Sequence, residues 1–164
     1  MTTAPIPTPF TVFDPALDLE LRREVPVKPD LVWRAWTEPE LIVKWFTPAP
    51  WRTTLCEIDV RPGGKFRTVM EGPNGERNDS TGCVLHVIPG RLLVFTDALG
   101  PGFRPTGSAF MAASVEITPT AGGTLYVARA LHKDPEAKQQ HEAMGFHTGW
   151  GTALDQVVAM VRGM

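Results

Sequence analysis

Several absences narrow what this chain can be before any element is placed. No apolar run approaches the roughly 18 residues that a membrane-spanning helix needs, and the start of the chain has neither the basic residues nor the apolar core of a secretory signal. Serine is confined to Ser80, Ser108 and Ser114. None of these sits in a strand–turn–helix nucleophile elbow, which argues against a serine hydrolase. The glycine patterns that cradle phosphates are missing: Gly100-Pro101-Gly102 lacks the third glycine, and no Lys-Ser or Lys-Thr pair closes a P-loop. There is no excess of charge of either sign, since net charge −2 and pI ≈ 6.1 give no electrostatic reason to bind nucleic acid or an anionic membrane. Cysteine is limited to Cys56 and Cys83. Without a secretion signal these read as reduced, buried thiols of a cytoplasmic protein, with a cross-strand disulfide as the alternative.

Metal-ligand spacing is absent too. His132, His141 and His147 lie near Asp134, Glu136 and Glu142, but a six-residue separation puts His141 and His147 on different sides of a helix. The i, i+4 pair that holds zinc on one helical face is not there. No metal and no cofactor is called for, and His141 is expected at a helix surface, bonded to a neighbouring loop.

What is present is an apolar and aromatic payload. The 164 residues are 43% hydrophobic and include five Trp and eight Phe. At this length about 70% of the unfolded surface can be buried in one domain. Residues 1–16 carry Pro5, Pro7, Pro9 and Pro15 and read as a flexible segment, with Phe10 and Phe13 as points that could tack it down. Residues 17–164 read as a single domain.

Its elements follow from periodicity. Leu17, Leu19 and Leu21 alternate with Asp18, Glu20 and Arg22, the pattern of a half-buried strand. Pro29-Asp30 and Glu38-Pro39-Glu40 each open a short helix, and Thr47-Pro48-Ala49-Pro50 ends helix formation. From Trp51 to His132 apolar strand segments alternate with turns: Arg61-Pro62-Gly63-Gly64, Gly72-Pro73-Asn74-Gly75, Pro89-Gly90 and Ala121-Gly122-Gly123. The connection from Leu99 to Ser108 is long, and Phe103 and Arg104 at its middle mark a place for a lid over a pocket.

The last stretch, Asp134 to Arg162, reads as one long helix with Asp134 as N-cap and Pro135 at the first helical position. Winding it at 100° per residue puts Ala143, Phe146, His147, Trp150, Leu154, Val157 and Val161 on one face. Gly151 beside Trp150 reads as close packing against a strand or as room for a ligand. The order is strand, two helices, six strands, long helix: an α+β fold of about seven antiparallel strands wrapped around a terminal helix, with an internal cavity.

Four segments carry a family resemblance: Val32-Trp33-Arg34-Ala35-Trp36-Thr37-Glu38-Pro39 with Lys44-Trp45-Phe46; Asp59-Val60-Arg61-Pro62-Gly63-Gly64-Lys65-Phe66; Pro89-Gly90-Arg91-Leu92 with Phe95-Thr96; and His141 to Gly151 with Leu154. Spanning about Leu17 to Val161, they resemble the SRPBCC or START-like helix-grip superfamily. Within it they resemble bacterial homologues of the activator of the ninety-kilodalton heat-shock protein ATPase. The resemblance implies the helix-grip fold and supplies no catalytic motif. The eukaryotic activator has a further N-terminal domain for chaperone contact with no counterpart here, so chaperone activation is not implied.

The helix-grip arrangement brings Trp45, Phe46, Phe66, Phe95, Met111, His147, Trp150 and Leu154 together as the expected cavity lining. His147 is a rim residue, a polar anchor for a ligand, or a general acid–base. Arg129 faces inward if Leu125, Val127 and Leu131 do. It faces water if Tyr126, Ala128 and Ala130 turn inward instead. The leading expectation is therefore binding of a small hydrophobic or amphipathic molecule by a monomer or homodimer. The alternatives are a small cyclase or hydratase with His147 or Asp97 moving protons on a carbonyl compound, and an interaction module that contacts a chaperone.

Overall fold

The alternation of apolar and charged residues in Asp18–Val25 makes this segment a strand, β1, with Leu19, Leu21 and Val25 turned to one side. In the computed structural model, which describes residues 12–164, two helices follow: α1 (Pro29–Thr37) and α2 (Pro39–Trp45). Proline stands at the first turn of each, where its missing N–H leaves no helical bond unmade. Then come β2 (Arg52–Ile58), β3 (Lys65–Glu71), β4 (Arg77–Ile88) and β5 (Leu92–Thr96). A small hairpin of β6 (Leu99–Gly100) and β7 (Arg104–Pro105) precedes β8 (Ala112–Thr120) and β9 (Gly123–Leu131).

Seven of these strands form one curved antiparallel sheet in the order β1-β9-β8-β5-β4-β3-β2. Strands β1 and β2 occupy opposite edges, so α1 and α2 carry the chain across the full width of the sheet. Extra residues at Thr54 and Leu85 shift the register of β2 on β3 and of β4 on β5, and such bulges bend a strand and raise its twist. One face of the sheet, with Leu93, Phe95, Val115, Ile117, Tyr126 and Ala128, packs beneath the helices into the main core.

The expected seven-stranded α+β helix-grip architecture is present, and two details differ from the sequence reading. The terminal helix is not continuous. It divides into α3 (Pro135–Ala143) and α4 (Phe146–Arg162), because Gly145 takes the left-handed conformation (φ +97°) and its N–H bonds the Glu142 carbonyl, a helix-ending geometry that glycine adopts without strain. Asp134 does cap the start, accepting from the Ala137 N–H at 2.8 Å. Second, the Leu99–Ser108 connection is partly ordered into the β6–β7 hairpin. It does not cover the helix side of the sheet. The Gly102 N–H bonds the Gly63 carbonyl, the Phe103 ring lies against Gly63, and the Phe103 backbone bonds Cys83. Cys83 alternates with the inward Val84 and so belongs to the opposite face.

The two cysteines are free thiols, as expected, on β2 and β4 with β3 between them; Cys83 is buried and Cys56 half-buried. The expected flexible segment 1–16, including Phe10, falls mostly on residues 1–11, outside the described residues. Phe13 is exposed. No helix among the described residues is long and apolar enough to cross a membrane.

Candidate functional site: an apolar seam between two core clusters

The interior between sheet and helices is built in two parts. The main cluster is an aromatic stack: Trp36 lies 4.7 Å from Trp45 and 5.7 Å from Phe95, Phe95 lies 5.0 Å from Phe66, and Phe66 lies 5.9 Å from Phe46. Its polar ends are satisfied. Trp45 Nε1 donates to the Ala35 carbonyl, and Trp36 Nε1 donates to the hydroxyl of Tyr126, whose own proton is held more tightly than usual by burial. The second cluster is small and consists of Leu19, Ala130 and Phe146.

Leu21, Met111 and Trp150 pack against both clusters and none of the three is fully buried. Half-buried apolar side chains thus join the two cores at an apolar seam. Leu21 reaches it from β1, Met111 from the segment leading into β8, and Trp150 from the second turn of α4. Trp150 is fixed by the Phe146 ring at 4.6 Å. Gly151 resolves the packing question beside it: a Cβ there would come within 3.1 Å of Arg23 Nη2, so the glycine makes room for the arginine that pairs with Asp155 at 2.6 Å. On the other flank of α4, Gln156 donates to the Trp45 and Thr47 carbonyls, locking the helix to the end of α2.

The aromatic residues singled out from sequence therefore divide. Met111 and Trp150 lie half-buried at the seam. Trp45, Phe66, Phe95 and Leu154 are at most 8% exposed and belong to the main core, with Phe46 half-buried at its margin. Cys56, also at that margin, has its thiol pushed up to about 12 by burial and so stays protonated.

The polar candidates sit elsewhere. His147 does not share the buried face of α4. It is exposed and meets Glu142 at 3.2 Å, because the break at Gly145 turns α3 away and leaves no wall over that edge. Ala143 is exposed for the same reason. The Asp97 carboxylate accepts from the Phe110 and Met111 backbone N–H groups at 3.1 and 3.2 Å and holds the segment that carries both side chains. Arg129 follows the register with Tyr126, Ala128 and Ala130 inward, yet it is not in water. Glu20 lies at 2.7 Å and Glu116 at 3.8 Å, and this ion cluster keeps Arg129 buried on the sheet face away from the helices.

The groups that the sequence reading missed are His132 and His141. His141 is 6% exposed rather than a surface residue. Its Nδ1 lies 2.9 Å from His132 Nε2, and His132 Nδ1 lies 2.8 Å from the Leu17 carbonyl. Around the His141 ring stand Phe110 at 4.6 Å, Phe146 at 5.3 Å and Trp150 at 6.1 Å. Burial, with the neighbouring His132 second, pulls the His141 proton affinity down to about 4, so the ring is neutral at physiological pH. The usable signal was the step from strand end to helix, His132 to His141, which a single continuous helix obscured.

At the opposite end of α4 an open cleft of ≈ 690 Å³ runs between Val27–Leu31, Thr120–Gly123 and Val161–Met164. Lys28 and Arg162 line it, and Leu21, Met111 and Trp150 do not. Its walls are mainly turns and chain ends, without the convergent aromatic and polar groups that mark small-molecule sites.

A curved antiparallel sheet gripping a C-terminal helix defines the helix-grip class of α+β proteins. Residues 26–162 match the family described as activator of Hsp90 ATPase homolog 1-like protein, and the chain belongs to that family. A crystal structure of protein NE0264 from Nitrosomonas europaea is similar over 92% of this chain and 97% of its own, with 45% identity and a TM-score of 0.90. A Rhodobacter sphaeroides protein is 26% identical over 91% of this chain and 94% of its own, with a TM-score of 0.79. An AHSA1-like protein from Aeromonas hydrophila shares the fold at 22% identity, covering 90% of this chain and 93% of its own, with a TM-score of 0.67. A comparison with curated proteins gives no match.

Proposed function

We propose that this protein binds a small apolar or amphipathic molecule at the seam between its two core clusters. The observation that carries the reading is the shared, incomplete burial of Leu21, Met111 and Trp150 between the two core clusters. A ligand that buried about 200 Å² of apolar surface there would gain roughly 5 kcal/mol before the cost of association. Membership of a helix-grip family supports the same reading at the level of fold. The protonated Cys56 thiol, the engaged Asp97 and the exposed His147 make a binding role a better fit than a proton-moving enzyme.

Native mass spectrometry of freshly purified protein tests this. A discrete added mass that is lost on denaturation is expected, and it should weaken or vanish in Met111→Asp, which puts a charge at the half-exposed seam. An added mass that persists unchanged in Met111→Asp places the ligand elsewhere. A second reading, contact with a chaperone, draws on the family's description and on the exposed Phe103, Phe110 and Met144. Calorimetry with a purified Hsp90-type chaperone decides it, and no heat of binding removes it.

A further inference from the structure

Helix α3 meets the interior through a single buried side chain. Of its nine residues His141 alone is buried. Glu136, Lys138, Gln139, Gln140 and Glu142 fill most of the other positions and leave the helix no apolar stripe. Its anchor is therefore an imidazole, with Nδ1 at 2.9 Å from Nε2 of His132, whose other nitrogen is tied at 2.8 Å to the Leu17 carbonyl. The rings of Phe110, Phe146 and Trp150 stand around the contact. At the far end Gly145 joins α3 to α4 with φ +97° and nothing within 4 Å of the place a Cβ would take, so the backbone there is free to turn. The facing nitrogens also limit the protons that the pair can hold. A 2.9 Å contact needs one N–H and one bare nitrogen, whichever ring donates. Two imidazolium rings would point N–H at N–H, so the docked pair takes at most one charge.

We propose that the His132–His141 contact is an acid-released latch, and that α3 is a flap which swings on Gly145 and uncovers the Phe146 and Trp150 rings when both imidazoles take up protons. Docking of α3 and charging of both rings exclude each other, whereas rings swung into water charge independently. The surrounding acids are engaged elsewhere. Asp18 of β1 accepts from the Asp14 N–H, Asp134 from the Ala137 N–H, and Asp97 from the Phe110 and Met111 N–H groups, while Glu142 is held by Lys138 and His147. Lys133, beside His132 in the chain, is exposed and carries the charge that a protonated ring would. Burial, with His132 second, lowers the proton affinity of docked His141 to about 4. The open form therefore binds more protons below the ordinary imidazole value of about 6.5, so the latch holds above that pH and is lost as pH falls toward 4. The inference stands apart from any ligand at the seam.

The test is amide hydrogen exchange followed by NMR at several pH values, with protection taken relative to the intrinsic rate at each pH. Between about pH 7.5 and pH 5, protection of the amides from Lys138 to Ala143 should fall about thirtyfold, the gain in open population from one ring that holds its proton near 6.5 when free and about 4 when docked. The amides of β8 and β9 should keep their protection over the same interval. In His141→Asn the side-chain amide takes the place of the Nδ1 edge. Its N–H donates to a neutral His132 and its carbonyl accepts from a charged one, so α3 should stay docked and its protection should be level across the range. His132→Gln, whose amide reaches the Nε2 position, serves the same comparison if the asparagine form does not fold. Level protection of α3 in the parent protein, or a fall in step with β8 and β9, would overturn the flap. An undiminished fall in the variants would overturn the histidine latch.

Discussion

The two core clusters are made from the same residue types and behave as different materials. The main cluster interlocks Trp36, Trp45, Phe66 and Phe95, each at most 8% exposed, with both indole N–H groups bonded. The second cluster is fully buried only at Leu19, Ala130 and Phe146, and its margin is a pair of histidines beside the exposed Phe110. The first is suited to holding sheet and helices in one geometry. The second is suited to exchanging contacts, because polar groups whose partners are few and half-buried apolar groups can be re-partnered at low cost.

This contrast can be broken from either side. Truncating the main stack is the harshest test: Trp36→Ala removes a nearly buried indole and its bond to Tyr126, and should cost about 4 kcal/mol in urea unfolding. A loss under 1 kcal/mol would mean that the stack is not what holds the fold. Acid acts on the second cluster. His141 in the folded protein holds its proton only near pH 4, against an ordinary value near 6.5. The unfolded chain therefore binds more protons between those values, so the contribution is fully present above about 6.5 and is lost as pH falls toward 4. That loss is on the order of 3 kcal/mol at its limit. Thermal melts across this range should show a decline that His141→Asn flattens, and equal slopes for both proteins would contradict the burial of a neutral ring.

Smaller effects sharpen the boundary between the regions. Gly145→Ala meets no atom within 4 Å, so its whole cost, about 1–2 kcal/mol, is the left-handed backbone at φ +97°. It should also weaken ligand retention in native mass spectrometry by reorienting α3 against α4; full retention in a destabilised variant would separate helix geometry from recognition. The smallest change expected is His147→Ala, within about 0.5 kcal/mol of the parent and with unaltered binding, as befits an exposed pair with Glu142. A clear loss of binding there would move the site to the outer side of α4.

Much of this architecture was legible in the sequence. Leu17 to Arg22 announced β1 by alternation, the prolines opened α1 and α2, and the turn glycines separated the strands, because each of these signals is local. The candidate site was only partly legible for the converse reason. Met111 and Trp150 came through as apolar residues on converging segments. His147 was misplaced because one glycine with positive φ ended a helix that periodicity alone would extend. The Arg129 alternatives were both incomplete: alternation assigns a face, whereas its burial depends on Glu20 and Glu116 arriving from two other strands. The His132–His141 bond depends on how a strand end meets a helix after a turn, which no repeat in the sequence encodes.

The pairing of β1 with β9 has a consequence for synthesis on the ribosome. Leu21 meets Ala128, so the first strand must wait for more than 100 further residues before its ladder partner exists. At ordinary elongation speeds that wait is about 5–20 s. During it, α1, α2 and the hairpins from β2 to β5 can form by local contacts, while β1 remains an unpaired edge whose leucines face nothing. The charges that alternate with them, Asp18, Glu20, Arg22 and Glu24, discourage that edge from pairing with a neighbouring nascent chain. One of them, Glu20, is afterwards taken over by Arg129 as the last strand docks: a residue that first keeps the strand solitary becomes the one that fastens it.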